Sequence, residues 1–265
     1  AHGLCTMGDI ARCSIGRPEE VYNEELLYRL FGVNAELLID HAWGWEPCTI
    51  ADVKAYKPEN KSIVSGQVLQ CPYAFDKGRL VVREMADALA LDLVDKGLVT
   101  DQLVLTVGYD IENLSNPTRR EAYAGPVTTD PYGRKIPKHG HGTANLKGYT
   151  SSSEELMEAV SDLYDRAVDR NLLIRRLSIS ANHLLDEISA REKETPEQLD
   201  LFTDYAARKR QAEKREAAHA KERRLQETML GLKKKYGKNA ILKGMNLEEG
   251  ATAKDQNEKI GGHQA

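Results

Sequence analysis

Three observations predict an α+β fold. Four stretches alternate apolar and polar residues, two helical stretches interrupt them in the order β-α-β-β-α-β, and a helical segment stands on either side. That order is the split βαβ arrangement of ferredoxin-like folds, in which both helices pack on one face of the sheet and leave the other open. Three parts follow along the chain. Residues 1–47 are small and helical, residues 48–185 form the mixed domain, and residues 186–265 are a linker, a basic helix and a polar tail.

In the first part, Gly3 to Arg12 reads as a Gly-punctuated hairpin that enters a helix at about Thr6. Tyr22 to Phe31 and Asn34 to Trp43 carry apolar residues at helical spacing. A glycine hairpin feeding a helix N-terminus exposes backbone N–H groups that suit a phosphate, which makes Gly8 a candidate contact. The same pattern also builds an ordinary helix–turn–helix corner.

The mixed domain opens on a strand over Ser62 to Leu69, with Gly66 placed for a bulge. Lys77 to Lys96 puts Val82, Met85, Ala86, Leu89, Leu93 and Val94 on one helical face, and Gly97 follows its end. Leu103, Leu105 and Val107 alternate in a second strand. Gly142 to Tyr149 alternates again, Ala144 and Leu146 opposing Thr143, Asn145 and Lys147. Ser151-Ser152-Ser153-Glu154-Glu155 opens a second helix with a capping box, continuing through Leu156, Val160, Leu163 and Ala167. In the last strand Leu177, Ile179 and Ala181 alternate with Arg176, Ser178 and Ser180. Between strands two and three, Asp110 to Lys138 reads as a long polar loop, a type that is usually mobile or functional.

From Asp186 the apolar pattern ends. Residues 186–205 read as an extended linker, Ala206 to Leu232 as a solvated basic helix, and 236–265 as a disordered polar tail.

Composition narrows the function classes. The chain has 265 residues, 41% hydrophobic and 29% charged, with no apolar run long enough to cross a bilayer. Cys5, Cys13, Cys48 and Cys71 lack paired short spacing and read as reduced thiols of a cytoplasmic protein. His139-Gly-His141 lacks further ligands nearby, so it reads as loop chemistry and no metal site is expected. The net charge is -4, but Arg208 to Lys235 holds eleven Lys/Arg against four Glu, which leaves about -11 elsewhere. Within the mixed domain the two helices and their flanks carry eleven Asp/Glu against six Lys/Arg, while the remainder carries eleven Lys/Arg against seven Asp/Glu. Thr143, Asn145, Lys147, Arg176, Ser178 and Ser180 should face outward on the uncovered, more positive side. Hydroxyls, amides and bases on an open face suit a phosphate backbone, although an open sheet face is more often simply solvated.

Gln198-Leu199-Asp200-Leu201-Phe202 stands out in a charged stretch without periodic apolar partners. A polar hook followed by two large apolar side chains is the pattern of a groove-binding linear motif. The alternative is a local contact onto the chain's own domain. The five residues match the peptide that bacterial DNA polymerases and repair proteins insert into the replicative sliding clamp.

Taken together, the motifs resemble the C-terminal half of a Y-family translesion DNA polymerase, of the kind common in Gram-positive bacteria, their phages and plasmids. Thr6-Met7-Gly8-Asp9-Ile10-Ala11 is similar to that family's thumb hairpin, and Lys61-Ser62-Ile63 to the start of its little-finger domain. Tyr236-Gly237-Lys238-Asn239-Ala240-Ile241-Leu242 and Ile260-Gly261-Gly262-His263 are similar to the subgroup's tail. The resemblance implies a thumb remnant over 1–47, a little-finger DNA-binding domain over 48–185 and a clamp-binding tail. It implies backbone contacts to primer–template DNA by Lys61, Ser62, Ser65, Lys147, Arg175 and Arg176. With Gly8, Thr143, Asn145 and Ser178 these make up the candidate DNA-binding set. The implied partners are DNA and a sliding clamp, with no membrane, and a monomer is expected.

The family's nucleotidyl transfer uses two metal ions on palm-domain carboxylates. No acidic pair on a strand supplies that palm, so no cofactor is expected in this chain and Mg2+ is implied only for the palm of the parent. The chain begins at Ala1 inside a motif and reads as a fragment that does not polymerise alone. An alternative is a stand-alone, non-catalytic adaptor that binds DNA and the clamp. A small ferredoxin-like enzyme or metabolite sensor would need a carboxylate pair, a nucleophile with its base, or a phosphate-cradling loop, and the sequence offers none.

Overall fold

The computed structural model describes residues 2–46, 48–56, 62–130, 133–192 and 205–259. It divides into two compact units, Ala1–Glu59 and Asn60–Ala265.

Among the described residues the first unit holds the helices α1 (Met7–Ser14), α2 (Glu24–Phe31), α3 (Asn34–Ala42) and α4 (Ile50–Ala55). Three start on polar caps, Thr6, Asn23 and Thr49, each accepting a hydrogen bond from the third helical amide. Ile10, Cys13, Leu26, Leu27 and Ala35 form the small core. The Cys13 thiol donates to the Asn23 carbonyl at 3.2 Å and the Trp43 indole to Ser14 Oγ at 3.1 Å. The helix α4 lies in the stretch that the sequence assigned to the mixed domain, and it is grouped here with the first unit.

The second unit runs β1 (Ile63–Tyr73), α5 (Phe75–Lys96), β2 (Leu98–Tyr109), α6 (Glu112–Ser115), α7 (Pro117–Ala122), β3 (Val127–Thr129), β4 (Lys135–Pro137), β5 (Gly140–Thr150), α8 (Ser153–Ala167), β6 (Ile174–Asn182), β7 (Leu185–Asp186), α9 (Glu187–Glu192), α10 (Tyr205–Tyr236) and α11 (Ala253–Asn257). The main sheet has the order β1-β6-β2-β5, antiparallel throughout. Each long helix therefore links two parallel strands with one strand between them, which is the split βαβ arrangement expected from the sequence. Gly97 ends α5 in the left-handed conformation, at φ 65°.

Both helices cover one face. Val81, Val82, Leu89 and Leu93 of α5 and Leu156, Val160, Leu163 and Tyr164 of α8 pack on Leu103, Leu105, Val107, Leu177, Ile179 and Ala181. Each such burial contributes about 1.5–3 kcal/mol. Arg79 and Asp165 tie the two helices with paired hydrogen bonds of 2.9 Å.

Two stretches are more ordered than their composition indicated. The segment read as an open loop over Asp110 to Lys138 contains α6, α7 and the β3–β4 hairpin. Buried Asn113 pins it, donating to the Asp110 and Leu173 carbonyls at 2.9 and 2.8 Å and accepting from the Leu173 amide at 2.8 Å.

The basic helix is docked, not fully solvated. Arg215 pairs with Glu155, and Glu222 accepts from Ser152 Oγ at 2.6 Å and the Glu154 amide at 3.1 Å, capping α8. Gln226, 4% exposed, donates to the Ser151 carbonyl and Ser153 Oγ, and Met229 is buried beside it.

The polar tail, expected to be disordered, folds back onto α5 as far as residue 259. Lys243 pairs with Asp87 at 2.6 Å, while Glu84 accepts from Asn246 Nδ2 at 2.8 Å and the Thr252 amide at 2.7 Å. Composition treats such residues as solvent-facing, but the acidic outer faces of α5 and α8 supply the partners. Glu84→Ala would remove the buried acceptor that these half-buried donors share and is expected to cost about 1 kcal/mol. It should expose 237–259 to limited proteolysis, and cleavage no faster than in the unaltered chain would refute the latch.

Candidate nucleic-acid interface

The face of the sheet that the helices leave uncovered is built by strand register. Directly opposed residues on antiparallel strands share a face. One row across it is Val64, Ser180, Val104 and Thr143, and the next is Gly66, Ser178, Thr106 and His141. Val68, Arg176 and Gly108 stand at one end; Asn182, Gln102 and Asn145 stand at the other. Lys147 lies beyond Asn145 on β5 and is exposed.

Thr143, Asn145, Arg176 and Ser178 are therefore brought together on one face; Lys147 lies where the β5–β2 register is interrupted and is exposed next to Leu146, which packs on the core, and Ser62 is exposed at the entrance to β1. Among the described residues neither Lys147 nor Arg176 has a carboxylate partner. Arg175 is partly committed to its own domain: its Nη1 donates to the Gln70 carbonyl at 3.0 Å and its Nε lies 3.8 Å from Asp110.

Ser65 is a correction. It opposes Ile179, whose own neighbour on β2 is Leu105, and so stands on the helix-covered side. Gly8 lies in the first turn of α1, in the other unit. There the Cys5 and Thr6 amides donate to the Asp9 carboxylate at 3.0 and 2.8 Å, so an internal anion already uses part of the donor set expected for a phosphate. The Thr6 hydroxyl, those amides and Arg12 hold the Asp9 carboxyl down at about 2. Lys61 and Gln198, Leu199, Asp200, Leu201 and Phe202 lie outside the described residues.

Several residues of the face escaped the sequence reading. Gln102, Thr106, His141 and Asn182 carry no fixed charge and drew no notice, although alternation with Leu103, Leu105 and Val107 would have placed Gln102 and Thr106. His141, read as loop chemistry, is a strand residue whose Nδ1 lies 3.0 Å from Thr106 Oγ1. His139 is near it, the ring centroids 6.3 Å apart. Among the described residues no group of three or more His, Cys, Asp or Glu could hold a metal ion, and no helix is long and apolar enough to cross a membrane. All four cysteines are free thiols, Cys13 buried and the others exposed.

These features define a two-layer α+β domain with one sheet face uncovered. Residues 60–201, more than half of the chain, match the impB/mucB/samB family C-terminal domain, and the chain belongs to that family. The likeness to the C-terminal part of Y-family polymerases drawn from its motifs stands on that match. Among solved structures, a Y-family DNA polymerase chimera, Dbh-Dpo4(243-245)-Dbh, is similar with a TM-score of 0.35 and 11% identity. The match covers 68% of this chain, which spans only 41% of the length of that one. No curated protein matches.

Proposed function

We propose that this chain is the DNA-gripping and clamp-tethering part of a lesion-bypass polymerase, binding primer–template DNA without sequence preference. The observation that carries the reading is Arg176, without a carboxylate partner among the described residues, set among hydroxyls and amides on the sheet face that α5 and α8 leave uncovered, with exposed Lys147 further along β5. The acidic faces of α5 and α8 lie on the opposite side, where Arg215, Lys234 and Lys243 pair with Glu155, Asp95 and Asp87, and Arg223 pairs with Glu187 of α9. Arg215, Arg223 and Lys234 of α10 and Lys243 of the tail thus neutralise acidic groups of their own domain, and the open face keeps its charge available to phosphates.

Affinity on such a face comes from counterion release, so it falls as salt rises. Gln198–Phe202 would then hold the complex on a sliding clamp, in a monomeric, cytoplasmic protein. Mg2+ chemistry belongs to the palm of the parent, and no chemical step is assigned to the described residues. The test is fluorescence anisotropy of the full chain on labelled primer–template DNA. Affinity should fall steeply between about 50 and 200 mM salt, and Lys147→Gln with Arg176→Gln should reduce the log–log slope by about 0.9 for each cation removed. Affinity that stays flat with salt would overturn the reading.

A further inference from the structure

The open face carries a second kind of contact besides its cations. Gln102 on β2 stands directly opposite Asn182 on β6 and Asn145 on β5, so three amide side chains lie side by side across three strands. Their hydrogen bonds run in one direction. Ser180 Oγ donates to Asn182 Oδ1 at 2.7 Å, Asn182 Nδ2 to Gln102 Oε1 at 3.2 Å, and Gln102 Nε2 to Asn145 Oδ1 at 2.9 Å. Every amide oxygen in the row is thus already accepting. What remains toward solvent is one N–H on Asn182, one on Gln102 and two on Asn145, since each amide nitrogen carries two donors. With one lone pair of each oxygen already used and four N–H groups left over, the row offers more donors than acceptors.

The row is fixed from below. Thr100, fully buried, shares its one hydroxyl proton between the Asn182 carbonyl at 2.6 Å and the Gln102 carbonyl at 3.0 Å, and accepts from the Gln102 amide at 3.2 Å. This clamps the backbone of two of the three amides where β2 bulges against β5. Asp101, the neighbour of Gln102 along β2, is engaged by His183 Nδ1 at 2.9 Å.

We propose that Asn182, Gln102 and Asn145 form a preorganised donor row for the phosphate oxygens of a nucleic-acid strand. It makes a second grip point separate from Arg176. The two points are six residues apart on β6, about 20 Å at ~3.3 Å per residue. Six nucleotides of a duplex strand rise by about the same length at ~3.4 Å each. The proposal rests on the DNA reading of this face and adds residues and a division of labour: charge at Arg176 and Lys147, directional hydrogen bonds at the amide row.

Salt separates the two contributions. Full-length Gln102→Leu, which keeps the side-chain volume and removes the donors, should bind labelled primer–template DNA about tenfold more weakly at fixed salt. Its salt slope should not change, because no charge is lost. Asn145→Ala, at the exposed end of the row, should show the same pattern in smaller degree without risk to folding. Gln102→Glu should weaken binding further. If Gln102→Leu and Asn145→Ala both bind like the unaltered chain while Arg176→Gln weakens binding, the donor row is overturned and the DNA face stands. If Arg176→Gln and Lys147→Gln also leave affinity and slope unchanged, the reading of the face fails and the donor row with it.

Discussion

Replacing Leu201 and Phe202 together with Ala is expected to abolish capture of the chain by a bacterial sliding clamp. Each side chain, fully buried in a partner groove, is worth about 1.5–3 kcal/mol. Losing both removes roughly 3–6 kcal/mol, or more than a hundredfold in affinity. A short linear motif has few other contacts to compensate, so a pull-down on immobilised clamp should go from retention to none. DNA binding in the same preparation should be unaffected, because the open sheet face does not use these residues. Retention at the unaltered level would show that the pentapeptide is not the tether. Loss of both activities would place the two side chains in the chain's own core.

Much of the fold was legible because its signals are local. Period-2 alternation over Leu103, Leu105 and Val107, and over Leu177, Ile179 and Ala181, marks strands whatever their partners. The helical stripe of α5 and the Gly97 stop are likewise complete within one stretch of chain. What the sequence hid depends on distant partners. The Thr252 amide meets Glu84 across 168 positions and Lys243 meets Asp87 across 156, and no window of local composition joins them. The tail therefore read as disordered and α10 as solvated.

The same division runs through the candidate site. Thr143, Asn145, Arg176 and Ser178 were placed because their strands are buried on one side and polar on the other. Ser65 entered the candidate set from the family resemblance and not from alternation, and β1, an edge strand with apolar residues on both faces, gives no alternation that would have placed it. Val64 and Val68 are 64% and 55% exposed on the open side, and they imitate an inward-facing pair. Gln102 and Asn182 were within reach of alternation. Their role became visible only with the cross-strand register, which makes neighbours of residues 80 and 43 positions apart.

Gly78→Val is expected to destabilise the second unit severely, and the sign of the smaller Gly78→Ala change tests why. In an ordinary helix interior, Gly→Ala is favourable by roughly 1 kcal/mol, because Ala loses less backbone entropy. At Gly78 of α5 an added Cβ would lie 2.6 Å from Ile174 Cδ1 and 2.6 Å from the Tyr164 hydroxyl. Neither neighbour can yield. Both are fully buried, and the Tyr164 hydroxyl donates to the Phe75 carbonyl at 2.9 Å, fixing the start of α5 against α8. Burial also pushes the Tyr164 hydroxyl pKa up, so it stays a donor throughout the range in which the protein folds. Overpacking of this kind costs about 1–3 kcal/mol and more for a branched side chain, which exceeds the propensity gain. The Val variant should lower the melting temperature by roughly 6–12 °C, at about 2–4 °C per kcal/mol for a domain of this size. Gly231→Ala is the control. It sits in α10 with no atom within 4 Å of the added Cβ, so only the helix-propensity effect remains and the melting temperature should rise. If both Ala variants stabilised the chain equally, α5 could not lie as close to β6 and α8 as the structure places it.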